Sequence, residues 1–126
     1  MLETGIDIVE VVRIKKSIQS SDRFTKRIFH KNEIEYCRSS ATEYQHYAAR
    51  FAAKEAIRKI LLDHIQHNIL KWKSVWVENN QNGKPVLKFS EEILSKINIK
   101  NCSLSLSHIK ELAIASVVME FEMIKN

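Results

Sequence analysis

The sequence predicts an α+β fold: a mostly antiparallel sheet packed on a long central helix, formed by a single domain spanning residues 1–126. Three observations carry this prediction. The segments near the two ends are rich in β-branched residues and change character with a period of two, as strands do. The middle stretch "TEYQHYAARFAAKEAIRKILL" repeats apolar residues at helical spacing with no glycine or proline. Between them "NQNGKP" is the strongest turn, and the strands it joins pair antiparallel.

Taken in order, "TGIDIVEVV" reads as a first strand with Gly5, Asp7, Val9 and Val11 on one face. A basic helix follows from about Arg13 to Gln19, and "SSD" caps a short helix, "RFTKRIF". "HKNEIEYCR" gives another turn or two. The long helix runs from about Thr42 to Leu62 or beyond, with a polar ridge at Arg50, Lys54 and Arg58. "KSVWVEN" and "VLKF" are the two strands of a hairpin whose turn uses Asn82-Gly83 for positive φ. Ser90 caps "SEEILSKI", which carries acidic residues in its first turn. In "NCSLSLSH", Cys102, Leu104, Leu106 and His108 face one way and three serines the other; "LAIASVVMEFEM" is the most apolar strand.

Twenty Lys and Arg against 15 Asp and Glu give a net charge of +5, which suits an anionic partner: nucleic acid, a phosphorylated cofactor, an acidic protein or a membrane surface. Cys37 and Cys102 form no zinc-like or disulfide pattern. No apolar run approaches the length of a membrane span, and the first residues do not read as a signal peptide, so the expected location is cytoplasmic.

Two acidic residues are out of place. Glu55 projects between Tyr44, Ala48, Phe51 and Ala52, inside an apolar stripe of the long helix. Asp7 stands between isoleucines in a strand. An ion pair with Lys54, Arg58 or Lys59 would compensate Glu55, and a neighbouring turn would use Asp7 as a cap. Both carboxylates converging on one magnesium ion would compensate them together, because magnesium is commonly held by one or two carboxylates plus phosphate oxygens and water. "SLSH" at a strand end and the turn "NGKP" both suit an anion, and both also suit a plain solvated surface.

The chain resembles the holo-acyl-carrier-protein synthases, the small 4'-phosphopantetheinyl transferases. "GIDIVEVVRI", "RFAAKEA", "NGKP" and "SLSHIKELAIASVV" match that family in order and spacing. The resemblance implies the 4'-phosphopantetheinyl transferase fold and transfer of the 4'-phosphopantetheine arm of coenzyme A to a serine of apo-acyl carrier protein, with release of adenosine 3',5'-bisphosphate. It implies Mg2+ on Asp7 and Glu55, catalytic roles for Glu55 and Lys59, and Lys59 on the diphosphate. It further implies nucleotide contacts from Arg50, Gly83, Lys84, Pro85, Ser107 and His108. The proton of the attacking serine would pass to Glu55 or to a water on the metal.

The same resemblance implies docking of the acidic carrier on Arg13, with Arg23, Lys26 and Arg27 as further contacts, and a homotrimer with active sites between subunits. Ala49, Ala53, Ile57 and Ile60 form a second apolar side of the helix and are expected to serve that assembly. One departure stands out: the family's glycine-rich turn after the helix is replaced by "KILLDHIQHNILKW", which has no glycine. Either the helix runs on or the loop is rebuilt. Two competing readings are a small RNA-binding domain, which lacks the expected aromatic or glycine-loop signatures, and a relative that binds the cofactor but has lost transfer.

Overall fold

The computed structural model describes residues 1–125. In chain order the elements are β1 (Leu2–Glu10), α1 (Val11–Ser20), α2 (Asp22–Ile28), α3 (Lys31–Arg38), α4 (Glu43–Leu61), a 3-10 turn (Trp72–Ser74), β2 (Val75–Asn79), β3 (Pro85–Phe89), α5 (Glu91–Leu94), β4 (Ile97–His108) and β5 (Leu112–Met123). The caps read from sequence are in place. Ser21 accepts from the Arg23 N–H at 3.1 Å, and Ser90 accepts from the Ile93 N–H at 3.3 Å.

The strands are all antiparallel but divide into two sheets. β1, β5 and β4 form one in that order; β2 and β3 form a separate hairpin. The turn of that hairpin takes its positive φ from Gly83 alone, at 81°. In the larger sheet Asp7 lies opposite Ala115 and Leu106, while Val9 lies opposite Ala113 and His108.

Helix α4 packs across this sheet through small residues. Ala49, Ala52, Ala53, Ala56, Ile57 and Ile60 are buried with Ala113, Ala115, Val117 and Met119. Gly5 is the point of closest approach, since a Cβ there would lie 2.1 Å from the Ala56 carbonyl oxygen. A side chain at position 5 would therefore push α4 off the sheet.

Two expectations need correction. The side of α4 carrying Ala49, Ala53, Ile57 and Ile60 is consumed by the chain's own sheet and is not surplus surface. The basic ridge of the helix is no solvated ridge either: Arg50 is 2% exposed and Lys54 1%, because the β2–β3 hairpin and α3 cover that side. The exposed apolar surface lies instead on the outer face of the sheet. There Ile6 is 57% and Ile8 59% exposed, beside Val118 and the row Ser103, Ser105 and Ser107. After Leu61 the helix stops, and residues 62–71 form glycine-free turns anchored by buried Ile65 and Leu70. Among the described residues no helix is long and apolar enough to cross a membrane.

Candidate active site

The sheet face that receives α4 brings Asp7 against the fourth and fifth turns of the helix. Lys59 connects the two elements. Its ammonium donates to the Ile6 carbonyl at 2.7 Å and to Asp7 Oδ1 at 3.0 Å, with the side chain half exposed. Glu55, one turn earlier, has its Oε1 3.6 Å from Arg58 Nε. That distance is an ion pair without a true hydrogen bond. The carboxyl of Glu55 is raised above its ordinary range, first by burial and second by the charge of Asp7; Arg58, Lys59 and Arg13 pull it back. Asp7 and Glu55 therefore feel one another, and three cations share their compensation.

Each of the proposed partners of Glu55 finds its own place. Arg58 takes the carboxylate, Lys59 takes Asp7, and Lys54 turns inward to a different acid. The pair fits a hard cation such as magnesium. Two hard-oxygen donors converge from a strand and a helix, and each has one oxygen without an ion-pair partner among the described residues. No cluster of three or more His, Cys, Asp or Glu ligands occurs among the described residues, so any further ligands would come from water or substrate.

Arg50 sits behind the hairpin turn. Its guanidinium lies 4.2 Å from the centre of the Tyr36 ring and donates through Nη2 to Asn79 Oδ1 at 2.8 Å. Asn79 in turn donates to the Gly83 carbonyl at 3.0 Å. Arg50 thus holds the turn bearing Gly83, Lys84 and Pro85, and its buried Nε has no partner among the described residues.

Ser107 and His108 are exposed at the end of β4 and do not join Asp7 and Glu55 within one chain. They belong to the far strand of the sheet, two strand spacings (roughly 10 Å) from β1. His108 packs edge-on to His46 at 5.5 Å. His46 precedes Glu55 by nine residues, roughly 13 Å along the helix axis. Ser107 points to the opposite, outer face, level with Ile114 and Ile8.

Arg13 on α1 and Arg23, Lys26 and Arg27 on α2 are all exposed, and Arg13 is near enough to affect Glu55. Two features escaped the sequence reading. Glu33 and Lys54 form a fully buried ion pair at 3.0 Å. Glu33 also accepts from the N–H groups of His30 and Val77, while Lys54 donates to the carbonyls of Trp72 and Val75, so the pair ties α3, α4 and β2 together. Burial pushes the Lys54 ammonium below its usual range, and Glu33 opposes the shift. The available signal was Glu33 three residues into a capping box at His30. The second feature is Arg58 on the face of Trp72, 4.7 Å from the ring centre.

Known proteins share this arrangement of elements. The family model described as the 4'-phosphopantetheinyl transferase superfamily matches residues 3–117. A holo-(acyl-carrier-protein) synthase from Geobacter sp. (strain M21) is 46% identical over 93% of this chain and 96% of its own length. The synthase from Chlamydia trachomatis serovar L2 is 41% identical, covering 95% of this chain and all of its own. Among solved structures, the Helicobacter pylori synthase in complex with coenzyme A superposes with a TM-score of 0.80 at 30% identity, covering 94% of this chain and 100% of that one. The Bacillus anthracis synthase in complex with CoA (3',5'-ADP) gives 0.73 at 35% identity, with 92% and 93% covered.

Proposed function

The chain belongs to the holo-acyl-carrier-protein synthases of the 4'-phosphopantetheinyl transferase superfamily, and from that membership we propose a Mg2+-dependent reaction carried by Asp7, Glu55 and Lys59. The substrates are coenzyme A and an acidic apo-acyl carrier protein, and the products are the holo carrier and adenosine 3',5'-bisphosphate. The whole chain acts as one domain in this reading. The observation that carries it is the convergence of two carboxylates from separate elements, Asp7 held by half-exposed Lys59 and Glu55 raised in part by the charge of Asp7.

The serine hydroxyl of the carrier attacks the phosphorus bearing the pantetheine arm. A new serine O–P bond forms and the bond to the bridging diphosphate oxygen breaks, so negative charge grows on the departing phosphate. Asp7 and Glu55 would hold magnesium, which when bound would supply the charge neutralisation such a transfer needs. Lys59 is exposed enough to leave Ile6 and Asp7 and meet the diphosphate. The proton of the serine would pass to Glu55 or to water. Arg50 keeps the Gly83–Lys84–Pro85 turn in position beside the nucleotide.

The wide separation of Ser107 and His108 from Asp7 supports a site shared between chains. A homotrimer closed through the outer face of the sheet would cover Ile6, Ile8 and Val118. It would also let Ser107 and His108 of one copy serve the nucleotide phosphates held by the next. Exposed Arg13, Arg23, Lys26 and Arg27 then receive the acidic carrier, which mainly accelerates encounter.

The test is incubation with coenzyme A, magnesium and apo carrier, read by mass spectrometry of the carrier. One phosphopantetheine arm should be added, and Asp7→Ala or Glu55→Ala should abolish the addition without unfolding the protein. An unmodified carrier, across several carriers, refutes the reading.

A further inference from the structure

Four side chains from three elements form a continuous row. Arg50 of α4 lies 4.2 Å from the ring centre of Tyr36 of α3, Tyr36 meets His46 of α4 edge-on at 5.3 Å, and His46 meets His108 of β4 edge-on at 5.5 Å. The two ends, Arg50 and His108, are already given to the nucleotide; His46, between them, has no role assigned above. Its ring is half-buried and packed between two other rings. A phenylalanine would serve that packing as well. What the imidazole adds is the ability to take up a proton. Burial first, then the charges of Arg50 and His108, hold it below its usual range, so near neutral pH the ring is uncharged. Glu43, three residues earlier on the same helix, pulls the other way and is outweighed.

Resting on the transferase reading, we propose that His46 is the proton-binding member of the nucleotide-phosphate site, uncharged while the site is empty and charged once a phosphate is seated at His108. The phosphate brings negative charge into a row that held only positive charge. It cancels the repulsion that Arg50 and His108 exert on a further cation, and the imidazole of His46 then favours its charged form. By linkage, a group that takes up a proton on binding makes binding tighter as pH falls. The window runs from about pH 8 down to about pH 6, where a phosphate monoester begins to take its own second proton. The affinity for coenzyme A is thus tuned to pH by a residue nine positions from Glu55 on the helix.

The test compares the parent with His46→Phe, which keeps a ring against Tyr36 and His108 but has no proton to gain. Isothermal titration calorimetry with coenzyme A gives Kd across this window, and repeats in buffers of different ionisation enthalpy count the protons taken up. The Kd of the parent should fall roughly tenfold from pH 8 to pH 6, and that of His46→Phe only about threefold, the remainder belonging to His108. NMR of the unsubstituted protein gives a reading independent of the variant. The His46 ring resonance should titrate at higher pH with adenosine 3',5'-bisphosphate bound than without it. Parallel pH profiles of the two proteins overturn the proposal. So does an equal loss of affinity at every pH, which leaves His46 a packing role alone, and so does a His46 titration that the ligand leaves unmoved. A parent that binds no coenzyme A overturns it together with the transferase reading. Binding without transfer refutes that reading alone, and the pH profiles still decide His46.

Discussion

Gly5→Ala tests whether the distance between sheet and helix is what assembles the carboxylate pair. The new Cβ would stand 2.1 Å from the Ala56 oxygen, 3.0 Å from the Ala56 carbonyl carbon and 3.2 Å from Ile60 Cγ1. Ordinary contact between such atoms is about 3.5 Å, so strand and helix must separate by about 1.4 Å. The nearest atom is helix backbone, which no side-chain rotation relieves. Overpacking of this kind costs about 3 kcal/mol, and about 1 Å of misplacement between reacting groups lowers rates roughly a hundredfold. Ala56 adjoins Glu55, and Asp7 is two residues beyond Gly5, so the displacement falls on the pair itself. Thermal melting should fall by roughly 10 °C for that free energy. Transfer measured well below the melting transition should drop roughly a hundredfold. A variant that melts within about 2 °C of the parent and transfers at its rate would refute the close-approach argument.

Three further outcomes follow from the same coordinates. Lys54→Met strands Glu33 without its charge partner in the core and should cost about 3–5 kcal/mol in urea unfolding, with partial recovery in the Glu33→Gln, Lys54→Met double variant; a loss below about 1 kcal/mol would show that the pair is dispensable. Glu55→Gln should stabilise the metal-free protein at neutral pH. A raised carboxyl stabilises the fold while protonated, and that contribution is lost as pH rises through its folded value, so the variant should melt above the parent at about pH 7 and with it below about pH 4; coincident melting at both pH values would contradict the electrostatics of the pair. Ile6→Glu places a charge in the exposed patch on the outer sheet face and should shift light-scattering mass from trimer to monomer; a monomeric parent would remove the assembly from the proposal.

Much of the fold was legible because its signals are local. Period-two alternation in "TGIDIVEVV" placed Gly5, Asp7 and Val9 on the buried face of β1, and Asn82-Gly83 marked the hairpin. The central helix ends within one residue of its expected bounds at both ends. Its polar ridge was misjudged for a tertiary reason. Residue 54 becomes interior only because α3 delivers Glu33 to it from 21 positions away, and spacing within one helix carries no trace of that partner. The division into two sheets was hidden in the same way, since strands announce themselves by pattern but not by which neighbour they join.

For the site, the residues legible in advance were those at odds with their own element. An aspartate among isoleucines and a glutamate in an apolar stripe are locally unfavourable, and the fold resolves both at one place. Ser107 and His108 are different. Nothing local is wrong with a serine and a histidine at a strand end, and one copy of the chain leaves them away from the pair. The same sheet that separates them exposes Ile6 and Ile8 in the row beside Ser107, an apolar surface with no partner in the monomer. The phosphate contacts proposed for Ser107 and His108 and the uncovered apolar face on the same sheet have a common remedy in a second copy. A closed assembly through that face would bury the isoleucines and bring the strand-end donors to a neighbouring carboxylate pair. Ile6→Glu should therefore raise the KM for coenzyme A in parallel with dissociation, although residue 6 contributes only its carbonyl, to Lys59.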